Sequence, residues 1–143
     1  MATIPQKLHD ILAEGHTIWV ATVGADGMPN VSIKGSGSLL ADDRVIFADL
    51  YHRETLENLE RDPRIAVGVH DHANKLAMQV KGRAEILDHG DLVDDMRRRL
   101  AAVCERLALP PVQHVVVVTV DSVVELWPGP HAGEEVRAAG TAG

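Results

Sequence analysis

The chain has 143 residues, a size that suits one domain built on one core. At 45% hydrophobic and 24% charged it has a globular composition, with no apolar run near the roughly 20 residues that cross a bilayer as a helix. The formal net charge of -7 argues against nucleic acid as a partner, because duplex binding needs a basic face.

The start, Met1-Ala2-Thr3-Ile4-Pro5, has no basic segment leading into an apolar stretch, so no secretion signal is read. Thr3 with Gln6 makes a capping-box pattern, and Pro5 is tolerated in a first helical turn. Ile4, Leu8, Ile11 and Leu12 then share one helical face, and Gly15 is placed to end it in the left-handed conformation. Thr17 to Val23 reads as a strand. Gly24 to Pro29 is turn chemistry around Asp26-Gly27, and Asn30 to Ser38 forms the second arm of a hairpin. Ala41-Asp42-Asp43 turns into a third strand, Arg44 to Asp49.

From there Leu50 to Thr55 leads into a short helix, Leu56 to Arg61, which Asp62-Pro63 stops. Arg64 to His70 is a strand, Asp71 to Asn74 a turn, and Leu76 to Leu87 a long strand with Gly82 as a bulge or bend. A helix follows from Asp91 to Leu109, with Leu92, Met96, Leu100, Val103 and Leu107 at helical spacing and Pro110-Pro111 closing it. Val115 to Val120 and Val123 to Trp127 read as two late strands. The tail from Gly133, rich in Ala, Gly and Glu, is expected to be flexible.

About six short strands with turn signals predict a closed or nearly closed antiparallel barrel with flanking helices. With Trp19, Phe47, Tyr51 and Trp127 as the only aromatics, the core must be aliphatic. A Val-rich outer surface on such a barrel predicts burial against a second subunit.

The candidate site lies at the start of the short mid-chain helix. Unpaired backbone N–H groups and the positive end of the helix dipole make an anion site there, and Arg53 and Thr55 sit at that end. Thr55 also reads as a plain N-cap. Elsewhere, His70 and His72 share one face of a strand, with no third metal ligand beside them; a polar turn is the simpler reading. Arg97-Arg98-Arg99 spread over a wide helical arc and read as a solvated face paired with Asp94, Asp95 and Glu105. Cys104, the only cysteine, adjoins an apolar stripe and reads as a small hydrophobe. It excludes an intramolecular disulfide and fits a cytoplasmic setting.

Four stretches carry a resemblance to a known family: Gly27–Ser32, Thr55–Val67, Gln79–Glu85 and Trp127–Gly133. In order and spacing they resemble the FMN-binding split-barrel superfamily, the pyridoxamine 5′-phosphate oxidase-like proteins, in its small FMN-binding type. The resemblance runs from Leu8 to about Val136. It implies a six-stranded antiparallel split β-barrel with flanking helices, a homodimer, and FMN bound non-covalently in a groove between subunits. It implies that Ser32, Ile33, Lys34 and Asp49 edge the ring or ribityl chain, and that Arg53 and Thr55 hold the phosphate. It further implies that Asn58 braces the helix, that Gln79 lies near the ring's polar edge, and that Trp127 reaches the flavin across the dimer. The activity implied is a flavin-dependent oxidoreductase or electron-transfer protein. A non-catalytic flavin carrier or sensor, a deazaflavin-dependent member and a haem-binding member are alternatives; the last would use His52, His70 or His131 as an axial ligand. Two departures stand out. Glu54 occupies a position where many relatives have Lys, and the C-terminal Arg-containing substrate motif of genuine pyridoxamine 5′-phosphate oxidases is missing.

Overall fold

The computed structural model describes residues 2–51 and 53–137. Its elements in chain order are α1 (Gln6–Ala13), β1 (His16–Val23), β2 (Pro29–Ala41), β3 (Arg44–Asp49), α2 (Glu54–Arg61), β4 (Arg64–Asp71), β5 (Leu76–Leu87), α3 (Asp91–Arg106) and β6 (His114–Glu125). The six strands close a barrel in the order β1-β2-β3-β6-β5-β4, with β4 returning to β1 and every pair antiparallel. Hairpins join β1 to β2, β2 to β3 and β4 to β5. Helices α2 and α3 carry the two longer crossings, β3 to β4 and β5 to β6.

Period-2 alternation sorts the strand residues into two layers. Val45 and Phe47 of β3 face the barrel interior with Val116, Val118, Val120 and Val123 of β6, beside Ile18, Val20, Val67 and Val80. Phe47 is the one aromatic in this aliphatic core. The alternate residues, Ile46, Ala48, Val115 and Val117, form a second cluster with Val93 and Met96 of α3. The Val-rich outer side of β6 is therefore covered by α3 of the same chain. The apolar stripe of α3 needs that surface for its own burial.

Some local readings also change. α1 has Pro5 as its N-cap and no side-chain cap bond, so the Thr3–Gln6 capping box does not form. α2 begins at Glu54 with Arg53 as N-cap, which puts Thr55 inside the first turn and removes its capping role. The two late strands are one, β6, because Asp121 does not turn the chain. Lys81 pairs with Ser122 and Gly82 with Val120, so Asp121 is the extra residue of a β-bulge. The irregularity expected at Gly82 is thus on the facing strand. Gly82 is needed for a different reason: a Cβ there would run into the Thr119 carbonyl oxygen. Residues 133–136, expected to be loose, hydrogen-bond to β6 through Gly133 N to Glu125 O (2.7 Å) and Val136 N to Val123 O (2.7 Å).

Candidate functional site

The barrel parts along one seam. β2 pairs with β3 only between Ser38–Ala41 and Arg44–Ile46. Beyond that point β3 stays with β6 as far as Asp49, opposite His114, while β2 stays with β1. A bulge directs the separation. His16 pairs with Gly37 but Ile18 with Lys34, so Gly35 and Ser36 together oppose Thr17 and bend β2. The Ser36 hydroxyl takes over where the ladder stops, accepting a hydrogen bond from Ala48 N at 2.8 Å.

A cavity of about 600 Å³ occupies the parted seam, within the size range of small-molecule sites. β2 contributes Asn30 and Ser32 through Ser36, β3 and the following loop contribute Ala48 through Tyr51, and α2 contributes Arg53, Glu54 and Thr55. The end of α3 supplies an apolar wall of Leu100, Val103, Cys104, Leu107 and Leu109.

The polar side is tied together by short contacts. Lys34 Nζ donates to Asp49 Oδ2 at 2.9 Å, and Tyr51 N donates to Asp49 Oδ1 at 3.2 Å. The hydroxyls of Ser32 and Thr55 lie 2.9 Å apart, joining β2 to α2. The Arg53 guanidinium stacks 4.7 Å from the centre of the Tyr51 ring, a cation–π contact that keeps it at the mouth of the cavity.

α2 presents its N-terminus to this space. Its first helical bond runs from Glu57 N to Arg53 O, so the N–H groups of Glu54, Thr55 and Leu56 have no partner within the helix. Among the described residues no side chain caps them. An absent cap costs about 1 kcal/mol. Leu56 and Leu59, buried at the barrel core, contribute about 1.5–3 kcal/mol each. Packing therefore holds α2 in place and leaves its N-terminus open. Asn58, 2% exposed, fastens the helix from below: its Nδ2 donates to Thr22 Oγ1 at 3.0 Å and its Oδ1 accepts from Arg61 at 2.7 Å.

The structure thus gathers Ser32, Ile33, Lys34, Asp49, Arg53 and Thr55 around one cavity, with Asn58 behind it. Gln79 and Trp127 lie elsewhere. Gln79 sits on β5 between Gly68 and Val124, and Trp127 stacks with His70 and His72 at ring-centre distances of 6.3 and 5.8 Å. Of the haem-ligand candidates, His70 belongs to that ring cluster and His131 bonds Glu134 at 3.0 Å; neither lines the cavity. His52 lies outside the described residues. Among the described residues no three His, Cys, Asp or Glu side chains cluster to hold a metal ion. Arg97 pairs with Asp94, and Arg98 and Arg99 pair with Asp95, as a solvated helix face. Among those residues no helix is long and apolar enough to cross a membrane.

The α3 wall and Tyr51 were not legible as site residues. The spacing of Leu100, Val103 and Leu107 reveals a helix face, but only the parting of β2 from β3 gives its last two turns a cavity to line.

The profile of the pyridoxamine 5′-phosphate oxidase family matches residues 4–127. The chain belongs to that family. A curated relative, the uncharacterised protein MJ0282 of Methanocaldococcus jannaschii, is 26% identical over 125 residues, covering 85% of this chain and 80% of its own. Among solved structures, HupZ of Group A Streptococcus is 25% identical, with a TM-score of 0.75 over 91% of this chain and 99% of that one. An FMN-binding protein of Syntrophomonas wolfei shares the fold at 16% identity, with a TM-score of 0.67 over 83% of this chain and 86% of that one. For this family member the closed six-stranded antiparallel barrel, split along the β2–β3 seam, is the family's split barrel.

Proposed function

We propose that this protein binds FMN non-covalently in the β2–β3 cavity and acts as a flavin-dependent oxidoreductase or electron-transfer protein. The observation that carries this reading is the uncapped N-terminus of α2, with Arg53 at its cap position, opening onto a cavity whose far wall is apolar. The donor set suits a phosphate ester: helix N–H groups, a guanidinium and the paired hydroxyls of Ser32 and Thr55. The aliphatic wall from α3 suits a flat heteroaromatic ring. Bound FMN would supply the redox chemistry, and the chain supplies position and electrostatics. In this reading Arg53 and the first turn of α2 hold the phosphate, while Ser32 and Ile33 edge the ligand between the parted strands.

The same reading includes a homodimer. Trp19, Val31 and Ile33 share the outer face of β1 and β2 and are 51%, 60% and 54% exposed. Such a contiguous apolar patch marks an association surface. Gln79 lies on the same face, in register with Gly68, which is itself paired with Trp19.

The deciding experiment is the absorption spectrum of protein purified in the dark, followed by titration of stripped protein with FMN. A flavin spectrum or saturable quenching of FMN fluorescence supports the reading. A Soret band, or no response to FMN, defeats it. Bleaching of the bound flavin by NADH or NADPH then separates an enzyme from a carrier.

A further inference from the structure

Four side chains of opposite formal charge line the cavity: Lys34 and Arg53 against Asp49 and Glu54. Their formal charges cancel, which is unexpected in a site read as holding a dianionic ester. The two pairs differ. Arg53 and Glu54 are exposed, so water screens them. Lys34 and Asp49 are not: their side chains are 18% and 4% exposed and meet at 2.9 Å. The carboxylate is fixed on its other side by the Tyr51 N–H. A pair so placed, with its carboxylate buried, presents a small dipole, and its attraction for an anion a few ångströms away is largely offset by repulsion from its own carboxylate.

We infer that Asp49 masks the charge of Lys34 and so limits how tightly the cavity holds an anionic ligand, with the phosphate grip left to Arg53 and the start of α2. This rests on the FMN reading above. Asp49 acts through Lys34 and is a positioning residue.

The test is titration of flavin-stripped protein with FMN and with riboflavin, followed by flavin fluorescence at low and high salt. Asp49→Asn keeps the shape and leaves Lys34 unmatched. It is expected to bind FMN about tenfold more tightly than wild type at low salt, with riboflavin unchanged and the gain fading at high salt. The double variant Lys34→Met/Asp49→Asn removes both charges. Its FMN affinity is expected within about twofold of wild type, whereas a Lys34 that grips phosphate directly would cost about tenfold or more. Asp49→Asn binding FMN no better than wild type, an equal gain for riboflavin, or a tenfold loss in the double variant each overturns the masking while leaving FMN binding intact. Should Asp49→Asn fail to fold, the double variant alone decides. If neither wild type nor the variants bind FMN or riboflavin, the FMN reading itself fails and the masking fails with it.

Discussion

The hydroxyl oxygens of Ser32 and Thr55 lie 2.9 Å apart and join β2 to the first turn of α2 at the edge of the cavity. Thr55 is buried, so its hydroxyl acts as a tie between elements and not as a helix cap. Thr55→Val preserves the shape and deletes the tie. It is expected to cost about 1 kcal/mol, the usual worth of one such bond. In urea denaturation this appears as a lower midpoint at an unchanged slope. Thr55→Ser, which keeps the oxygen, should recover most of the loss.

Arg53 carries the electrostatic part of the proposed phosphate site, since Lys34 is matched by Asp49. Stacking on Tyr51 preorganises its guanidinium at the cavity mouth. Arg53→Glu replaces a charge-assisted contact with a repulsion and is expected to weaken FMN binding by about 2 kcal/mol or more. Titration of stripped protein with FMN measures this directly. A variant that keeps wild-type affinity rules out Arg53 as a phosphate ligand.

The barrel was readable because its determinants are local. The Asp26-Gly27 turn forms as expected, with Gly27 at a φ of 84° and Met28 N bonded to Asp26 Oδ1. Gly15 ends α1 at a φ of 83°. The β3 and β5 bounds coincide with the ranges predicted from the sequence. What failed depended on pairing register. Asp121-Ser122 looks like a turn, yet opposite Lys81 and Gly82 it is a bulge inside one long strand. The same limit applies to the site. Arg53 and Thr55 announced themselves through the helix start, but the Lys34–Asp49 pair arises only once two strands that begin as a hairpin have separated. The cover on β6 is hidden for a similar reason: nothing in Val115 or Val117 says that α3 packs there.

The exposed apolar face of β1 and β2 makes a prediction about assembly. Trp19 and Ile33 are cross-strand neighbours, both more than half exposed. If a second copy covers them, Trp19→Arg places an unpaired charge in the buried centre of that contact. The variant should run as a monomer in size-exclusion chromatography with light scattering, where wild type runs as a dimer. Its barrel should remain folded, because Trp19 lies outside the core cluster. A wild-type monomer at micromolar concentration would remove the dimer from the proposal.

Gly82 tests the β5–β6 register. An added Cβ meets the backbone carbonyl of Thr119, which cannot swing aside as a side-chain tip can. Gly82→Ala should therefore cost about 2–3 kcal/mol through displaced backbone, more than most surface substitutions. Gly35→Ala makes a useful control for the stability reading, since nothing lies within 4 Å of its added Cβ. Thermal unfolding should lower the midpoint of the first variant and leave the second near wild type.

Asp62, just past α2, gives the acid limb of stability a specific origin. Side-chain hydrogen bonds from Arg64, at 2.6 to 3.1 Å, and the Arg64 backbone N–H hold its carboxyl down to about 2, below the usual 3.8. A carboxyl depressed in the folded state stabilises the fold above its unfolded pKa, and that contribution drains away as pH falls through its folded value. The stability difference between wild type and Asp62→Asn should therefore be constant from neutral pH down to about 5, then shrink between about pH 4 and pH 2. Because the pair faces solvent, added salt should shrink the neutral-pH difference as well. Urea midpoints for the two proteins across that pH range provide the measurement. A gap that persists undiminished at pH 2 would mean that Asp62 acts through the geometry of the α2–β4 turn and not through its charge.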